Sequence, residues 1–165
     1  MNIDALTKME EDLLAKMPQG GHFNDREKFL DENGIYKKWQ KIFEHYSQLA
    51  LEGNIEALKR AVFFLWYQTC EPAPLSGLKD LNVQAVASTL EHLNKLITSE
   101  QIDSELAYML PYYYQIAEWY IPKEVEADAI LSASQISSGE NSAGLNKSNF
   151  VNRGQLGQYW QSLQS

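Results

Sequence analysis

Apolar residues recur every three to four positions along almost the whole chain, and no stretch sustains the alternation of a half-buried strand. Ile3, Leu6, Met9, Leu13 and Met17 share one face of a first helix, which Pro18, Gly20 and Gly21 stop. Asn24 or Asp25 can cap a short helix through Glu32, closed by Asn33 and Gly34. Ile35, Trp39, Ile42, Phe43, Tyr46, Leu49 and Ala50 form a clean stripe that Gly53 ends, and Asn54 is a good cap for the next helix. That helix, Ile55 to about Cys70, contains the apolar run Ala61–Tyr67 and has no polar face, which predicts a central position in a bundle.

Past the break at Glu71 to Pro74, Asn82 caps a helix that presents Val83, Val86, Leu90, Leu93 and Ile97. Thr98 or Asp103 starts another that continues to about Tyr120, kinked or restarted by Pro111, and Pro122 suits the first turn of a short acidic helix ending near Leu131. Residues 132–154 are rich in Ser, Asn and Gly and read as a flexible connector. Leu156, Tyr159, Trp160 and Leu163 then mark a short docking helix over 155–163. The expected fold is all-α: a helical bundle of about six to seven helices, with a helical domain over residues 1–131.

A shift of 47 residues lays Glu44-His45 on Glu91-His92, Leu49 on Leu96, Ile55 on Ile102, Tyr67-Gln68 on Tyr114-Gln115 and Glu71 on Glu118, seven identities in all. It predicts that two central α-hairpins, 35–70 and 82–120, are related units stacked in solenoid fashion.

At 165 residues with 44% hydrophobic and 22% charged positions, the chain has the composition of one soluble globular domain. The single Cys70 excludes an intrachain disulfide, and an acid-bearing N-terminus does not suit a signal peptide, so the expected location is cytoplasmic. A net charge of −8 argues against nucleic acid, and the short apolar runs argue against a membrane span.

Templates for chemistry fail. Gln19, Ile42 and Thr89 stand three residues before His22, His45 and His92, where a di-iron bundle needs Glu, and no two histidines have the spacing of a zinc pair. Cys70 lies at a helix C-terminus beside Glu71, which favours the neutral thiol. The 139–148 stretch fails as a phosphate loop because two residues separate Gly144 from Lys147. No catalytic residue, metal or cofactor is therefore expected, and a catalytic role for His45 or His92 is unsupported.

What remains is surface character. Tyr108, Tyr112, Gln115 and Trp119 form a second stripe on a helix whose core face is already supplied by Leu106, Met109, Tyr113, Ile116 and Tyr120. The stretch from Asp80 to Asp128 carries nine acids against Lys95 and Lys123. Together they point to a non-catalytic acidic module that binds a basic protein through Tyr108, Tyr112, Gln115 and Trp119, with Glu118 and Glu91 as charged neighbours. Its most concrete form is an inhibitor or immunity-type protein masking a basic enzyme. The alternative is a small-molecule pocket inside the bundle, lined by Trp66, Tyr67, Gln68, Tyr113 and Tyr114, with Gln115 as a further polar handle.

Overall fold

A computed structural model describes residues 1–136 and 145–164. Its helices are α1 (Ile3–Leu14), α2 (Phe23–Glu32), α3 (Ile35–Leu51), α4 (Ile55–Cys70), α5 (Ala73–Ser76), α6 (Val83–Thr98), α7 (Ser104–Ala117), α8 (Asp128–Ser134) and α9 (Gly154–Ser162). Two 3-10 turns, Glu118–Tyr120 and Lys147–Phe150, complete the set, and no strand occurs among the described residues. The fold is an all-α bundle. None of its described helices is long and apolar enough to cross a membrane.

Four starts are set by side-chain caps at loop ends. Asn2, Asn54 and Asp103 accept from the amides of Ala5, Ala57 and Leu106 at 2.9 Å, and Asn82 accepts from Gln84 and Ala85. Each leaves fewer orphan donors in the first turn, so these boundaries follow directly from the residue types. One turn was not foreseen: α5 folds within the Glu71–Pro74 break and ends on Gly77 at φ +76°.

α4 lies at the centre, in contact with α3, α5, α6, α7 and α9. Every residue from Ala57 to Trp66 is buried, including Lys59 and Arg60. A helix covered on all sides has nowhere to expose a charge, so both cations need partners (described below).

The two expected hairpins pack differently. α3 and α4 pack against each other directly, whereas α8 packs against both α6 and α7. The anticipated acidic helix over residues 122–131 is also displaced: residues 121–127 form a loop, and α8 starts at Asp128. Its cap explains the start. Asn94 of α6 accepts from the amides of Ala129 and Ile130 at 2.9 and 3.2 Å, satisfying first-turn donors that no local side chain reaches.

The segment read as a connector is anchored at its far end. Phe150 is buried and Arg153 makes two ion pairs, while residues 137–144 of that segment lie outside the described residues. α9 starts at Gly154, one residue before the expected docking helix, and packs on α1 and α4.

Candidate functional site

Three neighbourhoods bear on function: an aromatic cluster, a buried ion network, and the exposed end of α7.

The aromatic cluster holds residues of both expected site sets. Trp66 of α4 and Tyr113 of α7 are fully buried and stack at 4.6 Å, and α9 inserts Tyr159 at 5.1 Å from Trp66 and Trp160 at 6.1 Å from Tyr113. Trp160 donates its indole N–H to the Tyr113 hydroxyl, and the Tyr112 and Tyr159 hydroxyls bond each other at 2.6 Å. The space read as a ligand pocket between Trp66 and Tyr113 is thus filled by the chain's own rings. Of that set, Tyr67, Gln68 and Tyr114 are half-buried at the periphery.

The same packing corrects the proposed surface stripe. Tyr112 lies 4.9 Å from the Trp160 ring and Tyr108 lies 6.0 Å from it, so α9 packs against both and leaves each half-buried. Gln115, Glu118 and Trp119 are exposed, joined by Ile116, which the helical wheel had assigned to the core. Glu91 is exposed on a different helix, α6.

The ion network was not legible in the sequence. Glu10 of α1 is completely buried. It accepts from the Tyr46 hydroxyl and from the amide of Gln155 at 2.9 Å, with Arg60 Nη1 at 3.5 Å. Arg60 also donates to Thr7 and Glu56, and Arg153 reaches both Glu56 and Glu105. Lys59 pairs with Glu105 at 2.9 Å and also with Asp103. Burial pushes the Glu10 carboxyl up to about 7 against the opposing pull of Tyr46, Gln155 and Arg60. Burial acts the same way on Glu105, but hydrogen bonds from Arg153 and Lys59 outweigh it and hold that carboxyl below its ordinary value.

The network is a fastening. Glu10 caps α9 from a distance, its carboxyl oxygen accepting from the Gln155 amide in the first turn of that helix. A Cβ on Gly154 would come within 2.2 Å of that carboxylate, and φ of +57° there also favours glycine.

Catalytic features stay weak. His45 is exposed, and His92 is half-buried with Nε2 unpartnered beside Leu58, Leu96 and Gln101. Burial, then the neighbouring Glu71, pushes the Cys70 thiol up to about 11, which leaves it protonated at neutral pH. Among the described residues no group of three or more His, Cys, Asp or Glu is placed to hold a metal ion.

The end of α7 has the form of a contact surface. Ala117 leaves helical geometry (φ −150°, ψ 73°) and the following 3-10 turn carries Trp119 outward, 64% exposed, near Ile116 at 43%. Beside it runs a groove of about 460 Å³ with Tyr114, Ile121, Pro122 and Val125 along it. Glu118, Glu126 and Asp128 line the same groove, with Lys123 as the base among them.

Comparison with family models, curated proteins and solved structures returns no match for this chain.

Proposed function

We propose that the protein is a non-catalytic binding module whose partner is a basic protein, engaged through Gln115, Ile116, Glu118 and Trp119 and the adjoining acidic groove. The observation that carries this reading is Trp119. An indole left 64% exposed next to a 43% exposed isoleucine is a costly surface unless it is covered at some stage. Trp is the residue type most enriched at the energetic centres of interfaces, and the acids around it would steer a cationic partner and fix its register. Tyr108 and Tyr112 drop out of the binding set because α9 already occupies them. An inhibitor or immunity-type role is one form of this reading, supported by size, charge and fold class alone.

A displayed peptide library panned on the native protein and counter-selected on Trp119→Ala tests it. The expected binders depend on Trp119, pair a Lys or Arg with an apolar anchor, and weaken as salt rises. Binders that ignore Trp119, or that show no basic bias, would overturn the reading. Trp119 being so exposed, the variant is expected to melt with the native protein.

A further inference from the structure

A second concave region lies on α9's outer side, where its wall is shared with the last turn of α1 and the single turn of α5. Its outer part, about 550 Å³, is lined by Glu11, Leu14, Met17, Arg26, Leu75 and Gln158. An inner lobe of about 230 Å³ is lined by Leu14, Tyr67, Leu75, Gln155, Gln158 and Tyr159. Leu14, Leu75 and Gln158 belong to both, so the two parts form one groove with a largely apolar waist. Its size lies in the range of small-molecule sites.

The outer part holds one charge of each sign. Arg26 donates through Nε to the Pro74 carbonyl at 3.1 Å, which fixes the guanidinium at the rim. Its two Nη groups make no hydrogen bond or ion pair among the described residues, so the fork that suits a carboxylate is open. Glu11 is exposed on the α1 wall, and it forms an ion pair neither with Arg26 nor with any other described residue.

The inner lobe adds an acceptor without a donor. Gln155 is 5% exposed. Its Nε2 donates to the Ser76 carbonyl and its backbone amide donates to Glu10. Because Ser76 offers an acceptor, the side-chain amide cannot be turned over, and Oε1 is left buried with no partner. An unpaired buried carbonyl is a standing cost that an incoming N–H or O–H would relieve. Tyr67 and Tyr159, packed edge to face at 5.6 Å, give the lobe one aromatic wall, and burial pushes the Tyr67 hydroxyl up to about 12, so that wall stays uncharged.

We propose that this groove binds a free aromatic amino acid whose ring carries a hydrogen-bond donor. The carboxylate sits on the Arg26 fork and the ammonium faces Glu11. The ring packs on the outer side of the Tyr67–Tyr159 pair, whose own rings meet at 5.6 Å, and turns its N–H or O–H toward Gln155 Oε1. The site shares no residue with the α7 surface and stands whether or not a protein binds there.

L-tryptophan is the probe, titrated to about 10 mM and followed by the Arg26 Nε–H and Gln155 side-chain amide resonances together with calorimetry. Saturable shifts at both groups are expected. Tryptamine, which lacks the carboxylate, and L-phenylalanine, which lacks the ring donor, should each bind at least about tenfold more weakly, as should tryptophan to Arg26→Gln. A second variant at an exposed position, Glu11→Gln, should weaken tryptophan and leave indole-3-propionate, which has no ammonium, unchanged. No saturation by about 10 mM, equal binding of the three amines, or native affinity in Arg26→Gln would overturn the proposal.

Discussion

The hairpin α3–α4 and its counterpart α6–α7 carry matching residues 47 positions apart and yet are put together differently. Trp66 and Tyr113 are equivalent under that shift, both are fully buried, and they stack on one another. Leu49 and Leu96, Ile55 and Ile102, and Tyr67 and Tyr114 are half-buried in both copies. Yet α3 and α4 close directly on each other, while α8 packs against both α6 and α7. These apolar pairs thus face inward in both copies, whereas the matched Glu44 and Glu91 are exposed in both, and the partner that each inward face meets is decided elsewhere. α9 adds Tyr159 and Trp160, each 47 residues after a ring that it contacts. Trp66, Tyr67, Tyr112, Tyr113, Tyr159 and Trp160 converge on a single cluster, and Tyr114 stays at its edge.

The sharpest way to break this arrangement is at the ring the helices share. Trp66→Ala should cost about 3–5 kcal/mol in denaturant unfolding, because it removes the stack with Tyr113 and the floor under Tyr159 together. A loss near 1 kcal/mol would mean that α9 relaxes into the space and that the cluster is less tightly joined than the ring distances indicate.

Next comes the fastening of α9. A Glu10 carboxyl raised from 4.5 to about 7 makes the folded state hold a proton that the unfolded chain releases. Its stabilising contribution is fully present below pH 4.5 and is lost as pH rises through 7, by up to roughly 3 kcal/mol. Unfolding free energies measured from pH 4.5 to 8 should therefore show a downward slope that Glu10→Gln flattens. A native slope unchanged in the variant would place the proton elsewhere.

The smallest effect concerns α8. Asn94→Ala removes the cap over Ala129 and Ile130 and should cost about 1 kcal/mol. Amide exchange should quicken at residues 128–134 and stay unchanged in α3 and α4, isolating the feature by which the two hairpins differ. Equal acceleration in both hairpins would show that they open as one unit.

Much of the helical layout could be read from local chemistry. The 3.6-residue period and the caps Asn54 and Asn82 act within one helical turn, so the starts of α4 and α6 were visible in the residues, and of the two candidate starts for α7, Thr98 and Asp103, the structure uses Asp103. The site was less legible. Trp119 emerged as exposed, but Tyr108 and Tyr112 did not, since a helical wheel places a ring on a face without saying what lies against it. Glu10, Arg60 and Arg153 escaped notice because a charge on an amphipathic pattern reads as solvent-facing until its partners, up to 145 residues away, are known.

By itself, then, the sequence determined an all-helical chain with a central apolar α4 and a C-terminal helix that needs a dock, because hydrogen bonding within a turn and burial along a face are short-range. Only the tertiary structure decided that α9 takes the aromatic face of α7, that α8 packs against both α6 and α7 with Asn94 as its cap, and that Arg26 and Gln155 line adjoining concave regions. Those outcomes depend on which distant surfaces exclude water together, and that competition among faces has no signature in local spacing.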